Sequence, residues 1–345
     1  MLDEKLLEEL CQASGVSGNE GAVREIILRE IRGCVKDFWV DALGNLIVFK
    51  EGAKRAQERL LLSAHMDEVG LIITDVTDEG FLKFQTVGGI DNAALCGRTV
   101  SVGDKKIPGV IGVKPVHLLD ADERNRIPAV DEMFIDIGAE NAADARKSVV
   151  LGDTACFRSI FDASGDCIRA KAIDDRAGCL VLINMIKGEI PFDMYFSFVV
   201  QEEVGLRGAK VAAYAVEPSA AIVVEATTAA DIPGNGGKSV CELGGGAVVS
   251  FMDKSTIYDK AYYELALALG KKIAVPVQSK RAIAGGNDAG AIHQSRSGVR
   301  TIAVSLPCRY IHSQTSMISK KDFDAVEEIV FALAEKISGE NCINL

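Results

Sequence analysis

A chain of 345 residues, 48% hydrophobic and 25% charged, is an ordinary globular protein, long enough that two structural units are expected. Its formal charge of −11 argues against nucleic acid or an anionic membrane as the main partner. No uninterrupted apolar run approaches the ~18 residues that a membrane span needs. Nine scattered cysteines without a CxxC pair point to reduced thiols in a cytoplasmic protein.

Residues 2 to 35 predict two helices, one burying Leu6, Leu7 and Leu10, the other Val23, Ile26, Ile27 and Ile31. The connector SGVSGNEG offers Ser and Asn as caps for the second. Phe38 to Val40 and Asn45 to Phe49 read as strands around the turn Asp41-Ala-Leu-Gly-Asn, and Leu60 to Ser63 is an apolar run ending at Ala64-His65-Met66-Asp67-Glu68. From Val69 to Phe157 the texture changes. Short alternating or β-branched runs (GLIITDV, GFLKFQTV, RTVSV, GVIGVKPV, EMFIDI) are broken by Gly, Asp and Pro turns, with one helical candidate at Ala142 to Ser148. Residues 69–157 are therefore expected to form a small all-β, barrel-like insert, interrupting an α/β domain made of residues 1–68 and 158–345.

The α/β part resumes at Ala170-Lys-Ala-Ile173-Asp174-Asp175-Arg176, which opens a helix. Met194 to Val200 (MYFSFVV) reads as a strand buried on both faces and running out at Gln201-Glu202-Glu203-Val204-Gly205. A helix from Leu206 to Val216 follows, then a strand from Ala220 ending at Glu225. Residues 257 to 270 are helical, and Ile273 to Gln278 extended at a sheet edge because of Pro276. AGGNDAGAIH leads into a short helix, and Thr301 to Leu306 is a strand before Pro307-Cys-Arg-Tyr-Ile-His312-Ser. Ser319 with Asp322 resembles a capping box for a last helix burying Phe323, Val326, Val330 and Leu333.

Polar residues thus recur at the ends of apolar strands: His65 and Asp67, Asp174 and Asp175, Glu202 and Glu203, Glu225, and His312. Taken singly, each has an ordinary explanation, such as a satisfied core histidine, a helix N-terminal acid or a charged turn. Together, at the carboxyl ends of α/β strands, they suit a mixed nitrogen and oxygen site for Zn²⁺ or a similar divalent ion. His117 and His293 show no such placement.

His65-Met-Asp67, Asp174-Asp-Arg, Gln-Glu202-Glu203-Val-Gly and Arg-Tyr-Ile-His312-Ser, in this order, resemble the dinuclear metallo-aminopeptidases that assemble into tetrahedral particles. This is the glutamyl and deblocking aminopeptidase family, some members of which are labelled cellulases. DALGNL near Asp41, Gly152-Asp153 and GGNDAGAIH from Gly285 extend the likeness over nearly the whole chain. The resemblance implies a three-layer, phosphorylase/hydrolase-like α/β catalytic domain, and an all-β insert through which dimers form, six of them making a twelve-subunit shell. It also implies two divalent ions per subunit, Zn²⁺ or Co²⁺, with Mn²⁺ also compatible. Asp174 would bridge them; His65 and Glu225 would complete one ligand set, Glu203 and His312 the other. Glu202 would be the general base, supported by Asp67, acting on short peptides.

Glu225 stands where the family usually has Asp, and Gln314-Thr315-Ser316 where relatives often carry Pro and an acid. Two other readings stand beside the peptidase: a metal-dependent amidohydrolase on small N-acyl substrates, and a non-catalytic metal-binding assembly protein. A cellulase fits less well, because paired carboxylates suffice for glycosides and a chain with one Trp has little to stack on sugar rings.

Overall fold

The computed structural model describes residues 2–234, 236–237 and 239–339. In chain order the elements are α1 (Glu4–Gln12), α2 (Gly21–Ile31), β1 (Asp37–Val40), β2 (Leu46–Lys50) and β3 (Leu60–His65). Next come β4 (Gly70–Val76), β5 (Leu82–Val87), β6 (Thr99–Val102), β7 (Ile107–Gly112), β8 (Phe134–Asp136), α3 (Ala142–Ala145) and β9 (Thr154–Phe157). They are followed by β10 (Cys167–Ala170), α4 (Ile173–Lys187), β11 (Met194–Val199), α5 (Arg207–Val216), β12 (Ala220–Thr228) and β13 (Ala247–Val249). The chain closes with α6 (Lys260–Ile273), β14 (Val277–Ser279), α7 (Ala289–Ile292), β15 (Arg300–Cys308), β16 (Ser316–Ser319) and α8 (Lys320–Gly339).

An eight-stranded sheet has the order β1-β2-β11-β3-β12-β15-β13-β14, and its four central strands, β11, β3, β12 and β15, run parallel. Strands buried on both faces carry continuous apolar runs, and successive residues face opposite layers. Leu60, Leu62, Ile222, Ile302 and Val304 pack under α1, α2, α4, α6 and α8. Leu61, Ala221, Val223 and Ala303 face α5 and α7, where small residues let the helices lie close. Three layers result, with all four parallel strands delivering their carboxyl ends to one edge.

The remaining large element is a closed barrel of order β4-β5-β8-β7-β6-β9, filled by Leu71, Phe84, Val100, Ile111, Ile135 and Phe157 among others. Closure removes the open edges that a small antiparallel sheet would expose. The sixth strand, β9, bridges β4 and β6; its four residues carry too short a pattern to stand out in the sequence. Among the described residues no helix is long and apolar enough to cross a membrane.

Several local expectations are corrected. The second helix is entered through Glu20 and has no side-chain cap; Ser17 and Asn19 bond instead to Asp67 and Thr154. Asp322 does not reach back to Ser319, because its carboxylate receives the Gly244 and Gly246 amides at 2.6 and 2.8 Å. Strand β11 stops at Val199, short of Glu203, whereas β12 continues past Glu225 because its partner β15 is equally long. The helix expected from residue 257 begins at Lys260, where Asp259 caps it by accepting the Tyr262 amide.

Candidate metal centre

The parallel register brings the candidate residues together. Val199 pairs with His65, so the chain leaving β11 turns beside the end of β3. Val223 pairs with Ser63, which carries Glu225 along β12 toward the same point. From the helix layer, Asp174 and Asp175 enter at the first turn of α4 with non-helical backbone angles. His312 comes from the loop after β15, with φ of +57°.

Asp174 stands between the two histidines. Its Oδ1 is 3.2 Å from His65 Nε2, and its Oδ2 is 3.4 Å from His312 Nε2. Each histidine has a glutamate as well: Glu225 Oε1 at 3.5 Å from His65 Nε2, and Glu203 Oε2 at 3.3 Å from His312 Nε2. Ligand atoms of His65, Asp174 and Glu225 form one cluster within 4.8 Å, those of Asp174, Glu203 and His312 a second, and those of His65, Glu202 and Glu203 a third. All five residues expected to hold metal meet at one place.

Both rings are oriented by main-chain carbonyls. His65 Nδ1 lies 3.1 Å from the Asp67 oxygen and His312 Nδ1 2.9 Å from that of Gly89. A carbonyl oxygen only accepts, so each Nδ1 carries a hydrogen and each Nε2 is the nitrogen that faces the cluster, donating to its carboxylates when the ring is protonated and offering a lone pair to a metal when it is neutral. Gly89 belongs to the barrel segment, which thereby touches the site although it supplies no candidate ligand. Asp175, fully buried, accepts from the His65 and Gly178 amides at 3.2 and 3.0 Å.

Burial dominates the electrostatics. It pushes Glu203 up to about 8 and Glu225 up to about 7, with the neighbouring Asp174 charge adding to both. Burial likewise holds Glu202 well above the usual carboxylate range, and Glu225 and Asp288 add to it. Burial works to lower His312, but the Asp174 hydrogen bond and the Glu203 charge prevail and carry it to about 9. For Asp174 burial acts upward and is outweighed by the hydrogen bonds of His312 and His65, which hold it low. Carboxylates pushed up in this way mark a site with more acid than its cations balance.

A cleft of about 170 Å³ opens over the cluster. Residues of the expected GGNDAG turn and of the stretch from Glu225 to Thr228 line it, and so do Val240, Ile311 and Lys280. Gln314 and Thr315, beyond His312, do not line it. Lys280 was not legible as a pocket residue, because nothing in the edge segment around Pro276 says which way it turns. Asp288 was missed too; it is fully buried with both carboxylate oxygens unbonded among the described residues.

The profile of the M42 glutamyl aminopeptidase family matches residues 44–329. A putative aminopeptidase of Acetivibrio thermocellus is 38% identical over 331 residues, covering 95% of this chain and 97% of that protein. The crystal structure of the TET aminopeptidase from a marine-sediment Thaumarchaeota archaeon superposes with a TM-score of 0.91 at 34% identity, covering 97% of this chain and 96% of the other. The TET1 peptidase of Pyrococcus horikoshii, which can assemble into a tetrahedron or a large octahedral shell, gives 0.83 at 36% identity, covering 97% and 99%. Neither the N-acyl amidohydrolase nor the non-catalytic alternative is favoured by these matches. The likeness runs from end to end in sequence and in fold, and the chain belongs to the M42 glutamyl aminopeptidase family, as a metal-dependent hydrolase of peptide bonds.

Proposed function

We propose that the protein is a two-metal aminopeptidase that removes the N-terminal residue of short peptides. The observation that carries this is Asp174, whose two oxygens each face a different histidine, each histidine paired with its own glutamate. His65 and Glu225 would hold one ion and Glu203 and His312 the other, with Asp174 shared between them. The donor set fits. It is nitrogen and oxygen only, suited to Zn²⁺, Co²⁺ or Mn²⁺, and Glu225 Oε2 is buried with no hydrogen-bond partner among the described residues. When bound, such ions would lower the pKa of a coordinated water and polarise the scissile carbonyl. Glu202, lining the cleft and ligand to neither proposed ion, takes the water's proton and passes it to the leaving amine. Asp67 fixes the Glu202 backbone by accepting its amide at 3.0 Å.

Lys280 supports a preference for an acidic first residue. Among the described residues it is the one lysine or arginine lining the cleft, and it makes no ion pair there. Its Nζ donates to the Ala284 carbonyl at 3.0 Å, which leaves further donors for a substrate carboxylate. An aminoacyl substrate panel tests both levels. Free-amine substrates should be cleaved and their acetylated forms not, with Glu ahead of Leu. Lys280→Met should lower the Glu-to-Leu ratio of kcat/KM about tenfold or more. Equal cleavage of acetylated substrates would refute the aminopeptidase; an unchanged ratio would refute the role of Lys280.

For assembly we propose dimers formed through residues 69–157 as an inserted unit, building a twelve-subunit shell. Exposed Val116, Leu118 and Ile127, close together in sequence on the barrel's longest connection, support contact there. The eight described cysteines are free thiols, which supports a reducing, cytoplasmic setting.

A further inference from the structure

Four successive amides at the end of β11 bond to side chains and not to a neighbouring strand. Val200 N donates to Asn45 Oδ1 at 2.9 Å, and Gln201 N to Glu20 Oε1 at 3.2 Å. Glu202 N and Glu203 N donate to the two oxygens of Asp67, at 3.0 and 3.2 Å. The acceptors come from three separate parts of the chain: the entry to α2, the turn before β2, and the end of β3. Each is itself fixed. Asp41 accepts Asn45 Nδ2 at 2.7 Å; the Gly18 amide reaches Glu20 Oε1 at 2.7 Å; Ser17 Oγ donates to Asp67 at 2.6 Å. Asn45, Asp67 and Glu20 are all buried.

This turn needs such support. Gln201 has φ of +57°, a region that L-residues with a Cβ avoid, and no regular ladder continues past Val199. The twist at Gln201 is what frees Glu202 and Glu203 from strict strand alternation, so that both side chains line the same cleft. An unheld turn would relax toward ordinary backbone and turn Glu202 away.

We propose that Glu20 and Asn45 are positioning residues for Glu202, acting through the Gln201 and Val200 amides, a role that rests on Glu202 being the base. Among the described residues neither makes a hydrogen bond to a candidate metal ligand side chain, so their loss acts on turnover more than on metal.

Steady-state kinetics and amide hydrogen exchange on Glu20→Ala, Glu20→Asp and Glu20→Gln test this in the full chain. Glu20→Ala is expected to lower kcat about tenfold to a hundredfold with KM and metal content close to wild type. In the metal-free protein it should also speed exchange of the Gln201 to Glu203 amides. Glu20→Gln keeps an acceptor oxygen and should restore most of kcat. Glu20→Asp withdraws the acceptor by about one C–C bond, about 1.5 Å, and should share the defect even if the alanine variant does not fold. Wild-type kcat and exchange in Glu20→Ala, or in Glu20→Asp where only that variant folds, would overturn the proposal. So would a Glu20→Gln variant as slow as Glu20→Ala. Wild-type turnover in Glu202→Gln would remove the base itself, and the proposal with it. A dead Glu202→Gln beside an unaffected Glu20→Ala would remove only the positioning role.

Discussion

Glu202 and Glu203 are adjacent in sequence and both cluster with His65, yet Glu203 also reaches His312 at 3.3 Å, while Glu202 stays outside both proposed ligand sets. Glu202→Gln keeps the shape and removes the base. It should retain the wild-type metal content and lose turnover by about 10²–10⁴-fold, the usual worth of a general base. Metal analysis beside steady-state kinetics checks this, and near-normal kcat would remove Glu202 from the mechanism. At the neighbouring candidate ligand, where the resemblance leads one to expect Asp, the longer Glu225 still reaches the cluster, its Oε1 lying 3.5 Å from His65 Nε2. The five candidate ligands were legible because each follows an apolar run in a motif. Glu20 and Asn45 were not, because a side chain that serves a distant amide leaves no local pattern; Asn45 showed only as part of DALGNL.

Among the elements, the long amphipathic helices and the doubly buried strands could be read from periodicity alone. What escaped was set by tertiary pairing. How far β12 runs depends on β15, where β11 stops depends on the amides just described, and β9 exists because it closes a barrel. The barrel also reaches the catalytic side through the Gly89 carbonyl on His312. A protein assembling through this element should elute and scatter light as a particle many times its 36.8 kDa chain mass. Substituting Val116 and Leu118 with Asp should reduce that particle to smaller species, since buried charge at an apolar contact is costly. A wild-type protein monomeric at working concentration would contradict the assembly.

Over the whole molecule, the defining feature is an acid excess buried at the edge of the sheet, in a chain already carrying −11. Glu203 at about 8 and Glu225 at about 7 sit above the usual 4.5, and His312 at about 9 above 6.5. Between pH 5 and 8 the metal-free folded protein therefore binds more protons at these groups than the unfolded chain. The stability they contribute is present in full at low pH and lost as pH rises through their folded values. Asp174 and Asp67, both held low, give stability that is already in place throughout this window.

Thermal unfolding of the chelated protein, followed from pH 5 to pH 8 and then during titration with Zn²⁺, tests the central claim that this cluster holds a pair of divalent ions. The chelated protein should melt at lower temperature as pH rises, and at pH 8 the first two equivalents per chain should restore Tm, with little gain beyond them. A Tm that climbs with pH without metal, or that two equivalents of Zn²⁺ leave unmoved, would contradict it.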